Sequence, residues 1–431
     1  MFVTDCVIRA DDYRNKILPV RARADVRNAW LTERMNTVLP EIMKREGFDM
    51  WLVAAREYNE DPAMLTLLPE PAMSARRRTI LLFTLKQDGS VERLMLDRFG
   101  QGEFYEAAWD PDREDQYDCL ARLVRERAPK VIGLNISEDS AFADGLTHNE
   151  HQNLVRALGD EFAPRLKSAE RLAVGWLERR IAPELVVYPG IVDIGHAIIA
   201  EAFSSQTIQP GITTTDDVVW WMRQKMLDLG LHAWFQPTVD HQARGEAPVP
   251  LAKHDRTRRT VILPGDLLHC DMGFYYLGLA TDQQQLAYVL RPGESDAPAG
   301  LKAGLADANR LQELHLEAMQ VGAPGNQVLR TALQQARQEG LKPMIYTHPI
   351  GYHGHAAGPT IGLWDRQEGV PGRGDYELFD DTCYSIELNA KKTVPEWDGE
   401  EIMFALEEEA VLTGGRARWL SGRQTELYLI G

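Results

Sequence analysis

The stretch LHCDMGFYYLGLATDQQQLAYVL, Leu268–Leu290, reads as an apolar β-hairpin, yet it contains two acidic residues, Asp271 and Asp282. Ten residues lie between the aspartates. This even number lets them face each other directly across an antiparallel ladder, with the turn near Tyr276 and Leu277. Two ionised carboxylates on an apolar sheet repel each other and resist desolvation. The segment therefore predicts a cation or a shared proton between them. The alternative is that one aspartate is a turn residue or that both face water.

Three downstream segments contain residues that could complete a metal site. YTHPIGYHGHAAGP contains His348, His353 and His355; DTCYSIELNAKK places Glu387 after an apolar strand start; and EIMFALEEEAVLT contains Glu407 at the start of three glutamates. Each has an ordinary explanation on its own, as a structural histidine, a polar strand face or a solvated edge. Two aspartates, one histidine and two glutamates together suit two hard or borderline divalent ions, such as Mn²⁺, Co²⁺, Zn²⁺ or Fe²⁺.

Composition narrows the class of protein. The 431 residues, with ordinary apolar and charged fractions, indicate a globular protein of two or three domains. The net charge of −17 argues against nucleic acid and anionic membrane partners. The first residues, MFVTDCVIRADDYRNK, lack the apolar core of a secretory signal, and the run TILLFTL is too short to span a bilayer. Four scattered cysteines indicate reduced thiols. We expect a cytoplasmic protein.

The amino-terminal part alternates helical and strand patterns. DMWLVAA and PKVIGLNIS predict strands, and RRTILLFTLKQDGSVERLMLD predicts a hairpin with its turn at Gln-Asp-Gly-Ser. The segment APRLKSAERL is a plausible junction. We predict a smaller α/β domain at residues 1–168 and a larger α/β domain at residues 169–431. The first domain contains no catalytic pattern, and we interpret His148 and His151 as helix surface.

A faint internal repeat marks the second part. QPGITTTDDVVWWMRQKMLDLGLHAWFQP and VGAPGNQVLRTALQQARQEGLKPMIYTHP share a Pro/Gly turn, an amphipathic helix, a Gly-Leu end and an apolar run. Two similar α/β halves that face each other would form a central cleft, which is a common place for a site.

These motifs resemble the pita-bread metallopeptidases, the family of methionine aminopeptidase, aminopeptidase P and prolidase. The resemblance covers residues 170–431. It implies a carboxy-terminal pita-bread domain with pseudo-twofold α/β halves. The amino-terminal domain is similar to the extra domain of the aminopeptidase P, prolidase and creatinase branch. Four features match the family pattern: the spacing of the two aspartates, the HPIG segment, the acid after DTCYSI, and the acid six residues before Thr413.

The resemblance implies specific roles. The metal ligands would be Asp271, Asp282, His348, Glu387 and Glu407, with Asp282 and Glu407 bridging two ions, Mn²⁺ foremost. Glu387 would also shuttle a proton. His355 and His254, the latter in LAKHDR, would donate hydrogen bonds to the substrate carbonyl and the oxyanion. Trp234 and Phe235 could line the substrate pocket, whereas Trp220 and Trp221 are expected in the helix core.

By this resemblance we expect a dimeric, dinuclear peptidase that cleaves Xaa-Pro bonds, as an aminopeptidase or a dipeptidase. Three departures concern the substrate. The family has a Thr-Arg pair after the second aspartate, where this chain has QQQL. The family's arginine two residues before the last glutamate is Ala405 here. The family's Glu-Pro-Gly segment is ELN here. They leave room for a non-peptidase enzyme on the same fold, as a metal-dependent small-molecule hydrolase or lyase. The metal-free, creatinase-like variant of such an enzyme is disfavoured, because creatinase-like enzymes lose several ligands and all five ligand positions are filled here. A third interpretation is a binding protein without catalytic activity. The intact ligand positions disfavour it.

Overall fold

The structure is a computed structural model, and it describes residues 14, 17–245 and 259–431. One compact unit is Pro19–Pro183, and the other is Glu184–Gly431 with the described residues before Pro19. The predicted division into domains at residues 168 and 169 remains a prediction.

The Pro19–Pro183 unit is built on one mixed sheet. Its helices are α1 Val20–Asn36, α2 Val38–Glu46, α3 Pro62–Leu67, α4 Gln116–Arg127, α5 His148–Phe162 and α6 Glu170–Glu178. Its strands are β1 Met50–Ala55, β2 Thr79–Leu85, β3 Val91–Leu96, β4 Glu106–Ala107, β5 Ile132–Leu134 and β6 Leu166–Ser168. The order is β4-β3-β2-β1-β5-β6. All six residues of the central strand β1 are buried, as expected for an apolar run covered on both faces. The predicted β2–β3 hairpin is confirmed.

The larger unit contains four α-helices among its described residues. They are α7 Ala182–Ala202, which begins at the junction, α8 Thr215–Asp228, α9 Ala299–Ala318 and α10 Gly325–Gln338. The strands up to the long hairpin are β7 His232–Ala233, β8 Thr238–Gln242, β9 Leu267–Met272, β10 Phe274–Tyr276, β11 Leu279–Ala280 and β12 Gln283–Val289. The later strands are β13 Pro343–Ile345, β14 His348–Ile350, β15 Thr382–Ser385, β16 Leu388–Val394, β17 Glu400–Leu406, β18 Glu409–Thr413, β19 Arg416–Trp419 and β20 Tyr428–Ile430.

These strands form small sheets, ordered β11-β10-β7, β20-β12-β9-β8, β13-β16-β17 and β14-β15-β18-β19. The two repeated segments give matching elements, because α8 and α10 each have 14 residues and each precedes a short strand, β7 and β13. One core cluster joins α9 to alternate residues of β16 and β17, including Ala390, Phe404 and Leu406. The opposite face of these two strands therefore points away from α9.

The hairpin that carries both aspartates has a different register from the predicted one. Tyr276 pairs with Leu279, and Asp271 pairs with Gln284. The turn is thus Leu277-Gly278, whose φ angles of 54° and 80° suit a two-residue hairpin turn that glycine favours. The prediction of direct opposition between the aspartates is wrong. Asp282 lies two residues before the partner of Asp271, so the pair is diagonal, and the even offset keeps both on one face.

Among the described residues, one helix, α7, is long and apolar enough to cross a membrane by length and composition, and half of that stretch is buried within the protein. Its Tyr188 hydroxyl donates to the Ala280 carbonyl at 2.6 Å, and its Val192 carbonyl accepts from Gln283 Nε2 at 3.2 Å. These contacts with the long hairpin make α7 a core helix of this unit.

Candidate metal centre

Glu387 and Glu407 lie where the chain passes from one sheet to another. Glu387 falls between β15 and β16, and Glu407 falls between β17 and β18. The Gln284 amide nitrogen donates to the Glu407 carbonyl at 3.1 Å, and the Glu407 amide nitrogen donates back to the Gln284 carbonyl at 3.1 Å. This pair of backbone bonds ties the long hairpin to the strands of the second half. It brings acids together that lie over a hundred residues apart in sequence.

The five predicted ligands meet in two overlapping groups. Ligand atoms of His348, Glu387 and Glu407 lie within 4.8 Å of one another, as do those of Asp271, Asp282 and Glu407. His348 Nε2 lies 3.1 Å from Glu407 Oε1 and 3.5 Å from Asp282 Oδ2. Glu407 is common to both groups and so joins them into one cluster.

Burial makes this cluster costly without a cation. Burial raises the pKa of Asp282 well above its ordinary value, and the neighbouring Glu407 raises it further. The pKa of Glu387 is also raised well above its ordinary value, again by burial first and Glu407 second. Burial lowers the pKa of His348, but its hydrogen bond with Glu407 prevails and the pKa rises to about 9. Asp282 Oδ1 is buried without a hydrogen-bond partner. The donor set therefore fits divalent cations.

His355 lies at the edge of this cluster. Its ring stands edge-to-face with that of His348 at 4.6 Å between centroids, and it forms a third close group with Asp282 and His348. Although His355 is exposed by its accessible surface, partial desolvation of its ring and the neighbouring His348 lower its pKa to about 4. At neutral pH the ring is thus uncharged and carries one N–H that can be donated. The other predicted substrate-side histidine, His254, lies outside the described residues.

Trp234 and Phe235 form an aromatic wall beside His355. The two rings meet at 4.5 Å between centroids, and Trp234 lies 5.1 Å from the His355 ring. Trp234 Nε1 donates to the Thr281 carbonyl at 2.9 Å, next to Asp282. A Cβ atom at Gly354 would lie 2.2 Å from the indole, so the wall requires glycine there. Both aromatic residues are half-buried, which leaves apolar surface facing outward.

The predicted core packing of the tryptophan pair in α8 is wrong for Trp220, which is 56% exposed. Trp221 is half-buried. The buried face of α8 consists of Val218, Val219 and Met222 with their helical neighbours. At 3.6 residues per turn, Trp220 falls on the opposite side of the helix.

Gln284 is a site residue that the sequence analysis missed. Its Nε2 donates to Glu387 Oε1 at 2.6 Å and to Glu407 Oε2 at 2.8 Å, and its Oε1 lies 3.0 Å from His269 Nε2. In the sequence, the QQQL segment stands out only as a departure from the family pattern. Strand alternation could have identified Gln284, since it lies two residues after Asp282 and shares its face.

The three consecutive glutamates are buried, so the solvated-edge alternative does not hold. Glu408 points away from the cluster, where it lies 2.6 Å from His196 Nε2 and accepts from Gln285 Nε2 at 2.8 Å. Glu409 accepts from the Asp282 amide nitrogen at 2.9 Å. Alternation thus sends Glu408 away from the cluster, whereas Glu407 lies in it and Glu409 holds the backbone of Asp282 beside it.

Comparison with known proteins places this geometry in a family. The family model "Metallopeptidase family M24" matches residues 191–413, more than half of the chain. A comparison with curated protein sequences finds no match.

Solved structures match over nearly the whole chain. An X-Pro aminopeptidase from Thermotoga maritima is 16% identical with a TM-score of 0.64, over 90% of this chain and 99% of that chain. A Xaa-Pro dipeptidase from Bacillus anthracis is 17% identical with a TM-score of 0.64, over 93% of this chain and 99% of that chain. An Escherichia coli aminopeptidase P variant is 14% identical with a TM-score of 0.57, over 93% and 95%. These likenesses confirm the predicted fold, and with the family match they show that the chain belongs to metallopeptidase family M24.

Proposed function

We propose that this protein is a dinuclear metallopeptidase that hydrolyses Xaa-Pro bonds, as an aminopeptidase or a dipeptidase. The observation that carries the proposal is the pair of ligand groups, made of buried and half-buried side chains, that share Glu407. The unpartnered Asp282 Oδ1 and the raised pKa values of Asp282 and Glu387 support a doubly charged occupant. The residues that would hold two divalent ions, with Mn²⁺ as first choice, are Asp271, Asp282, His348, Glu387 and Glu407.

When bound, two such ions supply a water nucleophile that is active near neutral pH and polarise the scissile carbonyl. Glu387 is the proton carrier, because its carboxylate lies in the cluster and is not held by any cationic partner other than His348 among the described residues. It takes the proton from the attacking water and delivers it to the leaving nitrogen. Gln284 fixes Glu387 Oε1, which leaves Oε2 on the side of His348.

His355 donates a hydrogen bond to the substrate carbonyl as negative charge develops on its oxygen. His254 is proposed for the same task. Trp234 and Phe235 provide an apolar surface for the substrate next to His355. We also propose a cytoplasmic homodimer, and light scattering coupled to size-exclusion chromatography measures the assembly state directly.

A second candidate is a small-molecule hydrolase or lyase that retains the metals. Ala405 favours it, since this buried position two residues before Glu407 offers no charge to a substrate carboxylate. The three glutamines after Asp282 also distinguish this chain.

A peptide panel with metal titration tests the proposal. Metal-depleted protein is loaded with Mn²⁺ or Co²⁺, its metal content is measured, and it is given Xaa-Pro dipeptides, Xaa-Pro-Yaa peptides and matched Xaa-Ala controls. Selective hydrolysis of the proline peptides is the expected result. Metal binding without hydrolysis of any peptide would favour the second candidate, and failure to bind metal would contradict both.

A further inference from the structure

The face of β16 and β17 that carries Glu387 and Glu407 continues beyond the metal centre. Lys392 Nζ bonds Asp307 of α9 at 2.6 Å, so Lys392 belongs to the helix-facing side with Ala390. Strand alternation then places Asn389 and Lys391 on the same side as Glu387. The face of the sheet next to the ligands therefore carries these residues and their partners on neighbouring strands.

Ala405 leaves this surface without a cation at the position nearest the ligands. It pairs with Asn389 across β16 and β17 and is 4% exposed. Asn389 Oδ1 is buried without a hydrogen-bond partner, and Asn389 Nδ2 donates to the Tyr346 hydroxyl at 3.2 Å. The Ala405–Asn389 pair therefore makes this part of the sheet face uncharged, with the Asn389 amide as its polar group.

The next residue after Asn389 on the same face of β16 is the cationic Lys391. A cavity of about 390 Å³ opens there, and its lining residues are Arg337, Leu341, Lys342, Pro343, Met344, Asn389 and Lys391. Three of the seven are cationic, in a chain whose net charge is −17. The Lys391 amide nitrogen donates to the Lys342 carbonyl at 3.1 Å, which holds the two lysines side by side.

The two lysines already bind a carboxylate. Lys391 Nζ lies 3.9 Å from Glu401 Oε1, and Lys342 Nζ bonds Glu401 Oε2. The Glu401 side chain is 40% exposed, so it lies at the rim. With Arg337, the three cations outnumber this single acid. The cavity is thus a place where a further carboxylate is electrostatically favoured.

We propose that this cavity binds a carboxylate on the carboxy-terminal side of a peptide substrate. The inference rests on the proposed peptidase function and specifies its substrate class. Glu387 and Lys391 are four residues apart on an extended segment, about 13 Å at ~3.3 Å per residue. An extended peptide covers that span with about four residues. The preferred substrates are therefore peptides longer than dipeptides that carry a carboxylate, as an acidic side chain or as the chain terminus, about four residues beyond the scissile bond. Such substrates make the enzyme an aminopeptidase.

Kinetics on matched peptides test the proposal. The series is Ala-Pro-Gly-Gly-Glu with an amidated carboxyl terminus, its Gln counterpart, and the Gln peptide with a free carboxyl terminus. For the wild-type enzyme we expect kcat/KM to be about fivefold higher for a peptide that carries a carboxylate, through a lower KM, as one exposed ion pair provides. The amidated Glu peptide reports binding of an acidic side chain, and the free Gln peptide reports binding of the chain terminus.

Lys391→Met should reduce the preference, since Arg337 and Lys342 remain, and should leave the neutral peptide unaffected. Lys392→Met is the matched control, because the neighbouring lysine faces α9, and it should retain the preference. Equal kcat/KM for acidic and neutral peptides in the wild type, or an unchanged preference in Lys391→Met, would overturn the proposal while the peptidase function stands. If no peptide is cleaved, the proposed peptidase function is wrong.

Fluorescence anisotropy of labelled peptides on the same variants then tests the cavity directly. Equal binding of acidic and neutral peptides would also overturn the proposed carboxylate site.

Discussion

Glu387 has its two carboxylate oxygens in different surroundings, one held by Gln284 and one 4.0 Å from His348 Nε2. Glu387→Gln keeps the size of the side chain but removes its ability to carry a proton. We expect kcat of the metal-loaded enzyme to fall by about 10²-fold or more, as for loss of a general base. Metal content, measured on the same samples, separates lost proton transfer from lost binding. A fully metal-loaded variant with near-normal kcat would contradict the proton-carrying role.

Gln284 is expected to position the ligands rather than to touch the substrate. Gln284→Met removes both of its hydrogen bonds to Glu387 and Glu407 while it fills a similar volume. We expect Mn²⁺ affinity, measured by calorimetry on metal-depleted protein, to fall about 10–100-fold, as on loss of outer hydrogen bonds in other metal sites.

The control for this prediction is Gln285→Met. Gln285 is equally buried on the same strand, but it bonds Glu408 on the far side. Its loss should lower stability and leave Mn²⁺ affinity close to the wild-type value. Equal losses of affinity in the two variants would show that strand integrity, and not the Gln284 amide, governs metal binding.

The packing of α7 on β12 depends on one glycine. A Cβ atom at Gly195 would lie 1.6 Å from Gln283 Oε1, whose residue follows Asp282 directly. We expect Gly195→Ala to destabilise the protein by about 1–3 kcal/mol in thermal or denaturant unfolding, since the buried glutamine must move. Gly190 in the same helix has nothing within 4 Å of an added Cβ, so Gly190→Ala should stabilise by about 0.5–1 kcal/mol. Similar effects from both substitutions would contradict this account.

Across the whole molecule, the metal-free cluster should make stability depend on pH. Burial and the neighbouring Glu408 raise the pKa of Glu409 to about 8, and the pKa of His348 rises to about 9. A raised pKa means that the folded state binds more protons than the unfolded state, so stability falls as pH rises through the raised value. The stabilisation from protonated Glu409 is lost as pH rises from ~4.5 to about 8, and that from protonated His348 is lost from ~6.5 to about 9. The raised pKa values of Asp282 and Glu387 change stability in the same direction.

The metal-free protein should therefore melt at a progressively lower temperature from pH 7 to pH 9, above the range in which the lowered pKa of His355 acts in the opposite direction, as followed by scanning fluorimetry in a chelator. Added Mn²⁺ should reduce this dependence, because the ions replace the protons in the cluster. A melting temperature of the chelated protein that is constant or rises over this range would contradict the expected electrostatics.

The sequence by itself determined the fold family and the identity of the clustered acids. The even spacing of Asp271 and Asp282 fixed their common face, and the positions of His348, Glu387 and Glu407 at strand starts and ends matched a known pattern. Such features are local, since strand alternation and residue chemistry act over a few residues. The hairpin was predicted for the same reason.

Only the tertiary structure decided which partners each side chain meets. The left-handed turn at Leu277-Gly278 set the register, the backbone pairing of Gln284 with Glu407 joined the two halves, and alternation sent Glu408 away from its neighbour Glu407. The amide of Gln284 and the cavity beside Lys391 depend on contacts between segments far apart in the chain. Their distances follow from long-range packing, which local sequence patterns do not encode.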